Sequence, residues 1–149
     1  MSRFFGERGL HIAGVIHLSP REAFELVRQG ATLVDVREDM EKNGKYFAVE
    51  NVISIPFSRF PEECDRLPRD RPLILADSVG VNSKKAFLLL QERGYTEIAN
   101  LNGGIVDWER DGLPTKIIDD EMLIGQCACK LRPKKIYRSR RTEEEDPPT

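Results

Sequence analysis

Short apolar runs alternate with amphipathic segments of helical length through the first 114 residues of the chain. VIHL (15–18), TLVDV (32–36), VISI (52–55), PLILA (72–76) and EIANL (97–101) read as strands, and the continuous apolar character of PLILA suits the middle of a parallel sheet. Ser19-Pro20 predicts a helix start, with a hydroxyl N-cap followed by proline in the first turn. Ala23, Phe24 and Val27 share one face of that helix, and Gly30 ends it. The polar stretch 37–50 turns at Asn43-Gly44. Residues 57–67 predict either a helix broken at Pro61 or two short turns. A polar, glycine-containing loop, DSVGVN (77–82), leads into a helix over 83–93 that Gly94 stops. Asn102-Gly103-Gly104 turns into a last helix carrying Trp108, which Gly112-Leu113-Pro114 closes.

Strands that alternate with helices in this way predict a parallel sheet covered on both faces. Residues 1–13 read as an irregular lead-in, 14–116 as the domain, and 117–149 as a tail of different composition. At 149 residues, 40% hydrophobic and 32% charged, the chain can bury a full core as one domain without a disulfide scaffold. Three cysteines, an odd count, argue against a secreted disulfide framework. The opening residues lack the apolar centre of a signal peptide, and no apolar run approaches a membrane span, so the expected compartment is the cytoplasm.

The net charge of −2 conceals an uneven distribution. Lys130 to Arg141 carries seven basic residues and no acid, and Glu143 to Asp146 then supplies four acids. The body before Lys130 is mildly acidic and offers no broad nucleic-acid footprint.

Three stretches together resemble the rhodanese family: LSPREAFELVRQGATLVDVRE (18–38), PLILADSVGVNSKKAFLLLQERGY (72–95) and ANLNGGIVDWERDGLPT (99–115). The resemblance implies a rhodanese-like three-layer α/β/α sandwich with a central parallel sheet of about five strands. It also implies a sulfurtransferase ancestry, in which a loop cysteine takes up a sulfane sulfur and passes it to a second nucleophile. Two departures stand out. The region 46–55, YFAVENVISI, lacks the Gly-His-Ile-x-Gly-Ala segment of many members. The family loop pattern Cys-x-x-Gly-x-x-Ser, aligned on Gly80 and Ser83, puts Asp77 at the cysteine position.

A loop feeding a helix N-terminus gathers backbone N–H groups around an anion and lowers the pKa of a thiol held there. The anion cradle expected here is Asp77, Ser78, Val79, Gly80, Val81, Asn82 and Ser83. A carboxylate cannot form a persulfide, so the resemblance implies no catalytic residue by the family mechanism and a loop locked by its own aspartate. Asp77 as a nucleophile or general base finds no histidine or second acid beside it in sequence, since the only histidines are His11 and His17, and His17 reads as a packed or edge residue. Phosphatase relatives of this fold need the cysteine as well. Arg37 reads equally as an anion contact or as a structural partner of Glu38, Asp39 or another loop acid. Asp35 is expected to hold backbone, Trp108 to sit in the core, and Gly103 and Gly104 to serve the turn.

The tail motif Cys127-Ala128-Cys129 lies outside the resemblance and has three readings: two ordinary thiols, a metal half-site completed by Cys64 or a second chain, or a relocated sulfur-handling site. Lys130, Arg132, Lys134 and Lys135 favour thiolate there. Cys64, beside three acids, reads as structural. No cofactor is called for. The leading functional expectation is a non-catalytic binding or regulatory module, and the alternative is a sulfurtransferase using Cys127 or Cys129. The partner would be another protein or a small anion, with the basic run Lys130–Arg141 as one contact and nucleic acid disfavoured by the sparse aromatics there. EEEDPPT reads as a flexible end.

Overall fold

The computed structural model describes residues 4–118. The expectations placed on the tail, namely Cys127, Cys129, the basic run and the acidic end, lie outside the described residues. The elements in order are β1 (Leu10–Ile12), β2 (Val15–Leu18), α1 (Pro20–Arg28), β3 (Thr32–Asp35), α2 (Asp39–Lys42), β4 (Lys45–Phe47) and β5 (Val52–Ser54), followed by α3 (Phe60–Glu63), β6 (Leu73–Ala76), α4 (Val81–Glu92), β7 (Ile98–Leu101), α5 (Gly104–Arg110) and β8 (Thr115–Ile117). Single 3-10 turns flank α3 at Phe57–Arg59 and Cys64–Arg66, so the stretch around Pro61 is broken as its proline requires.

Six strands form one sheet in the order β1-β2-β7-β6-β3-β5. Strands β2, β7, β6, β3 and β5 are parallel, the five expected, and β1 adds an antiparallel edge. That edge corrects the irregular lead-in predicted for residues 1–13. Ala13 and Gly14 both take left-handed backbone, φ 50° and 84°, and make the tight turn whose twist suits a hairpin. All three residues of β1 are exposed, so no alternation of burial marked the strand in the sequence. A second ribbon pairs β4 with β8 antiparallel, continued by Ile118 N–H donating to the Gly44 carbonyl at 2.7 Å. This strand crosses position 116, where the sequence had suggested the domain would end.

Alternation along β6 explains the layers. Leu73 and Leu75 join Val34, Val36, Ile98, Ala86, Phe87 and Leu90 in a core under α4, which also takes Phe60, Cys64 and Leu67. Ile74 and Ala76 face the other way, into a core with Ala23, Leu26, Val27, Ile105 and Trp108 from α1 and α5. Every residue of β6 is therefore buried, which is why PLILA shows no polar face. Helix α1 opens with a complete capping box: Ser19 Oγ accepts from Glu22 N–H, and Glu22 Oε1 accepts from Ser19 N–H. The result is a three-layer α/β/α sandwich whose parallel strands all end, at their carboxyl ends, on the side where the loop after β6 lies.

Candidate functional site

Chain leaving a central parallel strand must turn sharply to enter the next helix, and the residues after β6 do so over four positions. Gly80 adopts φ +99°, and a β-carbon there would lie 3.1 Å from the Gly103 nitrogen, so glycine answers both the backbone angle and the close approach. Two helix N-termini hold the loop. Ile105 N–H of α5 donates to the Asp77 carbonyl at 2.9 Å, and Val106 N–H donates to the Ser78 carbonyl at 3.2 Å. The start of α4 takes the side chain instead. Gly80 N–H donates to Asp77 Oδ1 at 2.5 Å and Asn82 N–H to Asp77 Oδ2 at 2.8 Å. These are donors that a helix start leaves without intrahelical partners, and the helix dipole adds to their attraction for a carboxylate.

Asp77 is consequently 4% exposed although it is charged. Of the loop amides, those of Gly80 and Asn82 donate to its oxygens, and Ser83, fully buried on the first turn of α4, brings its hydroxyl to 3.3 Å from Oδ1. Ser78, Val79, Gly80, Val81 and Asn82 complete the loop, with Val79 and Val81 more than half exposed at its rim. As a chemical object this is an anion cradle with its anion built in.

A second layer went unread in the sequence. Ser83 Oγ lies 2.5 Å from Asn100 Oδ1, and Asn100 Nδ2 lies 3.1 Å from His17 Nδ1. Asn100 on β7 is buried, and its register partner on β2 is His17. Burial, aided by the Lys84 ammonium, lowers the His17 pKa below the ordinary imidazole range. The histidine absent from the neighbourhood of Asp77 in sequence thus stands two side chains away from it in space. A parallel register between β2 and β7 makes the link, and no local motif encodes a register.

Arg37 leaves β3 beside the strand that carries the loop, but its guanidinium has partners of its own. Its guanidinium, 1% exposed, pairs with Asp35 through Nε–Oδ1 at 3.0 Å and Nη2–Oδ2 at 2.9 Å, donates to the Lys45 carbonyl at 2.9 Å, and lies over the Phe47 ring. Phe47 belongs to the core on the α1/α5 side, whereas Asp77 points to α4, so the two charged groups sit on opposite faces of the sheet. The structure supplies the ion pair that the structural reading of Arg37 called for. Its partner is the strand-end acid rather than Glu38 or Asp39, because β3 alternation puts residues 35 and 37 on one side. Asp35 also accepts from Arg37 N–H at 3.1 Å, as its backbone-holding role required. Trp108 is fully buried, with Nε1–H donating to the Pro114 carbonyl at 2.8 Å.

Cys64 is fully buried on the 3-10 turn after α3, with Arg93 Nη1 3.3 Å from Sγ. Burial pushes its thiol pKa up, and this outweighs the nearby Arg93 cation; the acid Asp65 adds to the rise. Among the described residues no group of three or more His, Cys, Asp or Glu is arranged to hold a metal ion. Nor is any helix among them long and apolar enough to cross a membrane.

Comparison with known proteins agrees with this architecture. Thiosulfate sulfurtransferase GlpE of Actinobacillus pleuropneumoniae is 30% identical over 98 residues, covering 65% of this chain and 89% of that protein. A sulfurtransferase of Allochromatium vinosum is 32% identical over 83 residues, 55% of this chain and 75% of that one. The crystal structure of a rhodanese-related protein from Thermoplasma volcanium superimposes with a TM-score of 0.59 at 27% identity, covering 72% of this chain and 96% of that one. The profile of the Rhodanese-like domain matches residues 19–111, from the N-cap of α1 to the end of α5, and the chain belongs to that family.

Proposed function

We propose that this chain handles sulfur, as its sulfurtransferase relatives do, but on a thiol other than one in its loop. The observation that carries the reading is the Asp77 carboxylate seated on the Gly80 and Asn82 amides at 2.5 and 2.8 Å. Asp77 holds the position that the family pattern gives to cysteine, and it brings oxygen where sulfur transfer needs sulfur. The names of the relatives support sulfur transfer as the reaction class, and that of the Actinobacillus pleuropneumoniae relative supports thiosulfate as the donor.

The thiol must then come from elsewhere. Cys64 is sealed in the core with its ionisation disfavoured. Cys127 and Cys129 are left, with Lys130 and Arg132 following closely in sequence to favour the thiolate. In the step proposed, a Cys127 or Cys129 thiolate attacks the outer sulfur of thiosulfate. A new S–S bond forms, the S–S bond of thiosulfate breaks, and sulfite leaves with the electron pair. A second nucleophile later takes the sulfur from the persulfide and restores the thiolate.

One observation favours a second reading, a binding module without chemistry. The cradle is filled by its own side chain, and its rim presents Val79 and Val81, apolar and exposed, to a partner. Intact mass spectrometry after incubation with thiosulfate decides between them. Sulfur handling requires an adduct of one sulfur atom that is lost in Cys127→Ser/Cys129→Ser and kept in Cys64→Ser. Unmodified protein under conditions that load a sulfurtransferase relative would leave the binding module standing. As a further test, Asp77→Cys should gain thiosulfate:cyanide transfer at the loop if the cradle still suits a thiolate.

A further inference from the structure

Four polar side chains form an unbroken string beneath the N-terminus of α4, with buried Asp77 on the loop, Ser83 on α4 and Asn100 on β7 leading to half-buried His17 on β2. The successive separations are 3.3, 2.5 and 3.1 Å. Buried polar groups are kept only where their donors and acceptors match, so the direction of each bond in the string is constrained by the next. Ser83 has one hydroxyl proton, and its shorter contact is to Asn100 Oδ1. With that oxygen accepting, the Asn100 amide nitrogen faces His17. His17 Nδ1 must therefore be the acceptor, which puts the ring proton of neutral histidine on Nε2.

We infer that this string is a reversible hydrogen-bond relay through which protonation of His17 tightens the hold of the loop on Asp77. When His17 Nδ1 takes a proton from solvent it becomes a donor, and the donating amide of Asn100 can no longer face it. The amide turns over, so that Oδ1 accepts from His17 and Nδ2 donates to Ser83 Oγ. Ser83 then swings its own proton to Asp77 Oδ1. The added proton stays on His17, no covalent bond between heavy atoms changes, and every group in the string keeps a partner. Asp77 gains a third donor beside the two amides. Coupling of this kind is reciprocal: the Asp77 carboxylate at one end favours the imidazolium at the other.

The surroundings of His17 leave the relay as its principal polar route inward. Its register partner on β1 is Leu10, on β7 it is Asn100, and α4 presents the Lys84 ammonium. Helix α1 packs its apolar side on the other face of β2, against Ile16 and Leu18, with the Glu22 carboxylate engaged by the Ser19 and Gly9 amides. Burial and Lys84 both oppose the imidazolium, so the switch is thrown on the acid side of the ordinary histidine range. The inference makes no use of Cys127 or Cys129, and it stands or falls apart from sulfur handling.

Nuclear magnetic resonance on the full labelled chain, titrated from mildly alkaline to mildly acidic pH, tests the relay. The expected result is an unprotonated Nδ1 in neutral His17, together with an inflection of the Gly80 and Asn82 amide resonances at the midpoint of the His17 ring. His17→Gln should abolish that inflection. Ser83→Ala and Asn100→Ala should each abolish it while His17 itself still titrates, which separates a relay from the direct field of the imidazolium. Neutral His17 carrying its proton on Nδ1 would overturn the inference, as would loop amides silent at the His17 midpoint. An inflection that persists in either interrupting variant would overturn it too. Should one of those variants fail to fold, the other and the tautomer in the native chain still decide.

Discussion

A single carboxylate sets the character of the loop. Asp77 satisfies two half-buried amides at the start of α4 with a side chain that is itself buried. Asp77→Ala should lower stability by about 1–2 kcal/mol, the range for losing a helix-start acceptor, measured by urea unfolding. Cys64 offers a contrasting residue. Alkylation of the native chain should spare it, and it should react only once denaturant opens the core, as peptide mapping would show. Its thiol pKa is raised by folding, so its contribution to stability is complete below the unfolded thiol range and is lost as pH rises through the folded value. The alkaline limb of the stability curve should therefore flatten in Cys64→Ala, whatever the cavity costs. Asp77 was legible in the sequence because its spacing to Gly80 and Ser83 is local. Asn100 and His17 were not, because their meeting depends on which strands are neighbours and in what register.

Among the elements, the closest fit lies between the loop and the start of α5. Gly104 has φ +61°, and a β-carbon on it would come within 2.3 Å of the Ser78 carbonyl oxygen, a backbone atom with nowhere to retreat. Gly104→Ala should cost more than the ~1 kcal/mol of left-handed backbone alone, and should broaden or shift the Asp77 and Ser78 resonances before it affects α1. Both glycines of the Asn-Gly-Gly turn were readable as turn residues. What the turn packs against was hidden, since Ser78 lies more than twenty positions away. The helices and parallel strands announced themselves through capping residues and apolar runs, as Ser19-Pro20 and PLILA show. β1 did not, because a strand exposed along its whole length carries no burial signal, and its pairing rests on two left-handed residues that the sequence marks with only one glycine.

Taken as a molecule, the domain keeps its chemistry-bearing elements at the carboxyl ends of the parallel strands and its ion pair Arg37–Asp35 on the other face of the sheet from Asp77. A parallel sheet covered on both faces was visible from the alternation of strands and helices, and the three-layer rhodanese-like sandwich from the family resemblance. The ribbon of β4 and β8 was not, because it joins residues 45–47 to 115–117, far apart in the sequence.

The clasp between loop and α5 also makes the protein its own sensor. The lone indole, Trp108, sits one turn beyond Gly104, edge-on to both Phe24 and Phe47, so a displaced loop must tug on the ring's surroundings. Asp77→Ala should therefore change the emission maximum or quenching of Trp108 while leaving its far-ultraviolet dichroism intact. Unaltered fluorescence would mean that the opening at the mouth is absorbed before it reaches the aromatic cluster. Events at the mouth could then be followed by light, without a label.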